Sequence, residues 1–544
     1  MFEEDNGIRR YDPEDKWWET DEYITKPGVK VDKFAPDGFN SSTGQPFYIY
    51  APGALHKTVE HVERMLMEDG TPFYDRGGTL VRPVVDEVRA IKGHTVKSAR
   101  LTPVLPPFLA KQMSASISFQ SLKKKKDDLV KIPIDPPGPV IASILADAGE
   151  WPFHKISGVI TAPTLRRDGT ILWKGGYDSE TKLLLVSPPD MPPFPRNPTR
   201  DDALAALQRL DDLLDGFPFV DQPSRSVALS GLLTPVARAA ISVAPLHVIS
   251  APSPGSGKSF LVDLCSAIIS GNPAPVMTAG KSEEETEKRL GAVFMSGSPI
   301  LAIDNVNGQL YGDALCQCVE RPVVKFRVLG ESRMTDIENK TTMFATGNNI
   351  SLVDDMARRS ILCNLDPNTE RPELREFDDN PLDRILDNRG QYIADALTVV
   401  RAYKIAGQPN KLKPLASFED WSDLIRSAIV WLGYADPLDT MDKVREQDGR
   451  LANMQAFFAA MWEGTHGQKK TAAELVEMSL AKPDLQIAAK ALCNPRGDVS
   501  GHILGNRLRT ITGRIVDGLK LRSERDNPRK INVYFLEKTD CHES

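Results

Sequence analysis

Gly255-Ser-Gly-Lys-Ser259 constrains this chain more than any other stretch. It follows Leu246-His-Val-Ile-Ser250, which reads as a short buried strand, and it opens an apolar-periodic stretch over 258–270 that predicts a helix. Glycines between a strand and a helix let backbone N–H groups converge on oxygens where a Cβ would clash. A lysine at the helix start adds a positive charge. Strand, loop and helix together make this a phosphate-binding loop. Pro254, Gly255, Ser256, Gly257, Lys258 and Ser259 are the expected nucleotide contacts, with Lys258 on the terminal phosphates and Ser259 on Mg2+.

Magnesium also calls for a carboxylate at the end of a neighbouring strand. Pro299-Ile-Leu-Ala-Ile-Asp304 offers four apolar residues and then Asp304. The next residue, Asn305, cannot accept a proton and can only position a water. A third apolar strand, Thr341-Thr-Met-Phe-Ala-Thr346, leads into Gly347-Asn348-Asn349, where Asn348 is the expected polar sensor and Asn349 the fallback. Met356-Ala-Arg-Arg-Ser360 follows, and either Arg358 or Arg359 could stabilise phosphate charge across a subunit boundary.

The order Gly-Lys-Ser, Ile-Asp-Asn, a hairpin-like insert, Ala-Thr-Gly-Asn and Arg-Arg resembles the AAA+ helicase module of superfamily 3-like and phage or plasmid primase–helicase proteins. The resemblance covers roughly residues 200–465. It implies a three-layer α/β P-loop core, ATP and Mg2+ as cofactors, and a hexameric homo-oligomeric ring acting on single-stranded or forked DNA. Two positions depart from the pattern: Pro252 stands where the loop's first glycine is usual, and Asn305 where many related ATPases carry a glutamate. In that class a hairpin before the sensor strand carries basic residues to the DNA backbone. Val323-Val-Lys-Phe-Arg-Val-Leu-Gly-Glu-Ser-Arg333 fits, with a turn at Gly330 and Lys325, Arg327 and Arg333 as phosphate contacts.

The remaining sequence frames this core. The formal net charge of −7 excludes a generally basic nucleic-acid coat, so DNA contact must come from local patches. One lies in the tail. Residues 471–538 read as three helices and a hairpin, the order of a winged helix, and 496–530 hold nine Lys or Arg against four Asp or Glu. Arg507 and Arg509 fall on the third helix; Arg525, Arg529 and Lys530 fall on the wing. The expected division is a flexible arm (1–45), an α+β domain ending in the Pro-rich 187–198 linker (46–197), the ATPase core (198–380), a helical lid (381–465) and the winged helix (466–544). Lys123-Lys-Lys-Lys126 reads as a solvated loop, and Ser417 as the cap of a helix over 417–432. The acidic start lacks a signal peptide, the apolar run at 226–251 is too interrupted to span a membrane, and a cytoplasmic protein is expected. With no zinc-like cysteine spacing and no carboxylate cluster in 46–190, primer synthesis is not expected. The reading is a helicase or translocase serving replication of a phage or mobile element. The alternative is a nucleotide-switched DNA-binding or loader ATPase, which Asn305 favours.

Overall fold

The computed structural model describes residues 45–539 except 90–94, 126–127, 279, 281, 328–332, 353, 370, 373–378, 442–448, 494–497 and 527–530. The arm up to residue 44, the turn at Gly330 and the wing residues Arg529 and Lys530 therefore lie outside the described residues. The chain divides into two compact units. The first comprises Met1–Ile350 with Arg359–Asp439, and the second Ser351–Arg358 with Thr440–Ser544.

The first unit opens with β1 (Phe47–Ile49), α1 (Leu55–Glu68), β2 (Tyr74–Arg76), β3 (Thr79–Arg89), β4 (Thr95–Pro103), α2 (Pro106–Ser116), β5 (Ser118–Lys125), β6 (Asp128–Pro133) and α3 (Gly138–Ala146). Two three-stranded sheets, β1-β5-β6 and β2-β3-β4, shape this part. The apolar side of α1 (Val59, Val62, Leu66) packs into one core with Leu109 and Met113 of α2 and with Val140 and Ile144 of α3. The lysine run departs from expectation. Lys123, Lys124 and Lys125 belong to β5, paired with Val130, Leu129 and Asp128 of β6. Short strands β7 (Gly158–Ile160), β8 (Thr164–Leu165), β9 (Ile171–Leu172), β10 (Gly176–Asp178) and β11 (Leu183–Leu185) follow.

The proline-rich stretch after β11 has no regular structure, and α4 (Arg200–Asp211) then starts cleanly. Thr199 and Asp202 satisfy each other's backbone N–H groups in a capping box. α5 (Gln222–Ala237) is almost wholly buried. Next come β12 (Leu246–Ala251), α6 (Lys258–Ser270), β13 (Val276–Thr278), α7 (Glu283–Ser296), β14 (Ile300–Leu310), α8 (Asp313–Glu320), β15 (Val323–Arg327), β16 (Met334–Glu338), β17 (Thr342–Leu352) and β18 (Ser360–Asn364). The five-stranded sheet runs β13-β14-β17-β12-β18. β12 pairs in parallel with β17 and β18, and β13 with β14. β12 is buried along its whole length, as a parallel strand covered on both faces must be.

α9 (Pro381–Asp387) and α10 (Arg389–Ile405) complete the support. Arg389 donates from Nε to the Ile268 carbonyl (3.0 Å) and from Nη2 to that of Ile269 (2.7 Å), carbonyls that the end of α6 leaves unpaired. Burial pulls its guanidinium down to about 9. Ser417 is not a cap. Its φ is +71°, its hydroxyl donates to Glu320 Oε1 (2.7 Å), and the helix begins at Glu419 without a side-chain cap. That helix widens into a π turn over Ser422–Arg426, with the Ser427 N–H bonded to the Ser422 carbonyl. Trp421 is fully buried and donates to Thr234 Oγ1 (3.1 Å).

In the second unit, helices Gly449–Thr465, Ala472–Ala481, Pro483–Cys493 and Gly501–Ile511 share a core with an antiparallel ribbon, Leu519–Asp526 against Ile531–Lys538. The capping box of Thr471 and Glu474 is present, and Ser500 caps the last helix. The Tyr534 hydroxyl donates to the Gly505 carbonyl (3.2 Å), tying the ribbon to that helix.

Candidate functional site

The loop between β12 and α6 is wound by Gly255 (φ +73°) and Gly257 (φ +90°), conformations that a Cβ resists. Ser256 is buried and its hydroxyl donates to the Ser253 carbonyl (2.6 Å), closing the loop on itself. Lys258 Nζ donates to the same carbonyl (2.9 Å). Burial lowers the Lys258 ammonium below its ordinary range, while the Asp304 carboxylate opposes that shift. Phe217 lies against Gly257 and stacks on Phe260, with centroids 6.0 Å apart, which fixes the start of α6.

Asp304 receives two hydroxyls on one oxygen: Ser259 Oγ donates to Oδ1 at 3.2 Å, and Thr346 Oγ1 donates to Oδ1 as well. Sheet order explains the meeting, because β17 lies between β14 and β12. Gly347 permits the close approach: a Cβ there would collide with the Val306 carbonyl of β14. Two hydroxyls and a carboxylate are hard oxygen donors, the set that suits Mg2+ held partly through water. Thr346, almost fully buried, was not among the residues the sequence singled out. Its signal is weak: a polar, β-branched residue closing an apolar strand.

Asn348 sits opposite Ala251, the last residue of β12 before the loop. Its Oδ1 is buried and has no hydrogen-bond partner, so an acceptor stands unused beside the phosphate loop. Asn349 is exposed, has φ +48°, and reaches the Pro252 carbonyl at 3.5 Å. Asn305 follows Asp304 with φ +57° and an exposed side chain. The strand expected to end near Thr346 continues to Leu352.

The two arginines part ways. Arg358 is exposed and pairs with Asp355 (3.1 Å). Arg359 is buried and its guanidinium pairs with Glu320. Arg359 is thereby corrected from a candidate for reaching a neighbour to an internal ion pair, because releasing it would strand the Glu320 charge. The hairpin residues divide too. β15 alternates, with Val324 and Phe326 buried and Lys325 and Arg327 exposed; Lys325 lies 3.7 Å from Asp336 on β16. Arg333 is corrected as a free phosphate contact. Its Nη1 donates to the Gly78 carbonyl (2.6 Å) and its Nη2 to Thr79 Oγ1 (3.1 Å). In the second unit Arg509 and Arg525 are exposed, whereas Arg507 is partly covered and has a buried Nε.

No family model and no curated protein sequence matches the chain. Among solved structures, the apo C-terminal region of NrS-1 aligns with a TM-score of 0.34 and 10% identity, covering 83% of this chain and 96% of that one. JCV helicase aligns with a TM-score of 0.20 and 14% identity, covering 44% of this chain and 69% of that one. Both likenesses are distant in sequence and in backbone. No helix among the described residues is long and apolar enough to cross a membrane.

Proposed function

We propose that the chain is an ATP-driven DNA helicase or translocase of the AAA+ class, working as a hexameric ring in replication of a phage or mobile element. The observation that carries this reading is the convergence of Ser259, Thr346 and Asp304 beside the Lys258 loop. Residues 198–380 are the ATPase core, 381–465 its helical lid, 466–544 a winged helix on DNA, and 46–197 an α+β domain after the 1–45 arm.

The loop N–H groups and Lys258 bind the phosphates, and α6 presents its N-terminus to them. Ser259 and the Asp304 carboxylate would hold Mg2+, which would supply positive charge to the terminal phosphates. Thr346 holds Asp304 in orientation. The unpartnered Asn348 Oδ1 accepts a hydrogen bond from the attacking water and so orients it, helped by Asn305. Arg358, whose Asp355 partner is exposed and weak, is the residue that can reach a neighbouring subunit. Hydrolysis drives the hairpin face of Lys325 and Arg327 along one strand, while Arg509 and Arg525, with Arg507, Arg529 and Lys530, grip duplex phosphate.

Strand displacement on a forked duplex tests this. Wild type should unwind the fork and hydrolyse ATP faster with single-stranded DNA, and Lys258→Ala should do neither. Wild type that hydrolyses no ATP with single strands present would sink the motor reading. Asn305 favours a second reading: an exposed carboxamide beside Asp304 accepts no proton, so a nucleotide-switched loader would bind DNA with ATP yet turn over little.

A further inference from the structure

The hairpin of β15 and β16 has one solvent-facing side and one fastened side. Lys325 and Arg327 on β15 face outward. The first residues of β16 and the one before it are stitched to a turn some 255 residues upstream. That turn joins β2 to β3 through Gly77 (φ +57°) and Gly78 (φ +76°), two successive left-handed residues, as a tight two-residue hairpin needs. Asp75, itself buried, accepts the Gly78 N–H (2.8 Å) and sets the turn.

Three contacts close the join. Arg333 donates to the Gly78 carbonyl and to Thr79 Oγ1, and the Thr335 hydroxyl donates to the Gly77 carbonyl. The fit leaves no room for side chains: a Cβ on Gly77 would collide with Thr335 Oγ1 and press on the Asp336 carbonyl. Further along β16, Glu338 accepts from Ser157 Oγ (2.7 Å) and pairs with Lys182 (3.3 Å).

We infer that Arg333 and Thr335 are positioning residues that lock the β15–β16 hairpin to the Gly77–Gly78 turn, so that DNA engaging the hairpin moves residues 74–80 with it. The DNA part of this inference rests on the proposed function of the hairpin; the lock itself does not. A hairpin that carried its strand alone would leave Arg333, like Arg327, to phosphate. Here the guanidinium is spent on backbone and hydroxyl oxygens of the N-terminal part, which makes that part the lever's support.

Hydrogen exchange of the full chain, with and without oligothymidylate, tests it. In wild type, oligothymidylate should slow exchange in 323–327, in 333–338 and in 74–80. Arg333→Ala, which removes both of its charge-assisted hydrogen bonds, should speed exchange of 74–80 at least about tenfold without DNA. It should also abolish the DNA-induced slowing in 74–80 while that in 323–327 persists; slowing by direct DNA contact would survive the substitution. Arg333→Lys, which keeps one donor for Gly78, should restore most of the transmission. Thr335→Val removes a hydroxyl at constant size and should act in the same direction if the alanine variant folds poorly. Slowing confined to the hairpin in wild type, or unchanged exchange of 74–80 in Arg333→Ala, overturns the inference. If oligothymidylate slows neither segment, the DNA reading of the hairpin fails, and the DNA-free comparison still decides the lock.

Discussion

The phosphate loop and the β15–β16 hairpin face similar demands and meet them differently. Each must hold cationic groups in place. At the loop, the groups that matter are neighbours in sequence or lie at the ends of adjacent strands: Lys258 on the Ser253 carbonyl, and Ser259 and Thr346 on Asp304. At the hairpin, one cation is recruited away by residues from a distant part of the chain, as Arg333 bonds Gly78 and Thr79. A local motif keeps its residues for chemistry. The hairpin lends one of its basic residues, Arg333, to its own anchorage.

The sharpest way to break this contrast is at the loop. Lys258→Ala should lower ATP hydrolysis at least about 100-fold, the scale of removing a positioned charge from a developing one, with the far-ultraviolet circular dichroism unchanged. Activity near wild type would mean that the loop holds no catalytic phosphate. Asn348→Ala should cost kcat about tenfold to 100-fold while nucleotide affinity stays within about threefold, the pattern expected of an unpaired oxygen proposed to act on water and not on the nucleotide. An equal loss in affinity would place it in ground-state binding instead.

Stability separates the paired arginines. Arg359→Ala should destabilise the first unit by about 3 kcal/mol in urea melts, since it takes the cation from the Glu320 carboxylate in a largely covered site. Arg358→Ala should cost under about 0.5 kcal/mol, its partner being exposed. If Arg358→Ala proves the more damaging to folding, the division between them is wrong. A further effect concerns pH. Burial pulls the His247 imidazole on β12 from 6.5 down to about 3. A folded value below the unfolded one means its contribution is complete above pH 6.5 and shrinks as pH falls toward 3, with a slope of about 1.4 kcal/mol per pH unit at most. Melts between pH 7 and pH 5 should show that slope, and His247→Asn should flatten it.

Much of this was legible from the residues alone. Strand, loop and helix around Lys258 came from hydrophobic period and glycine placement, because those properties act within a few residues. The caps at Thr199 and Thr471 are local in the same way, each closing on a residue three positions on. Ser417 shows the limit, since it looked like a cap and is instead held by Glu320, 97 residues away. Lys123 and Lys124 looked like loop residues because charge masks strand propensity, and only pairing with β6 made them a strand.

The sequence by itself determined which side chains are candidates for phosphate and magnesium, since chemical type and local spacing suffice to nominate them. Tertiary structure alone decided which of them are committed elsewhere. The sheet order brought Thr346 to Asp304, Glu320 claimed Arg359, and the Gly77–Gly78 turn claimed Arg333. The physical reason is that a charge or hydroxyl takes whatever partner the fold carries within about 3 Å, and sequence distance does not limit that choice.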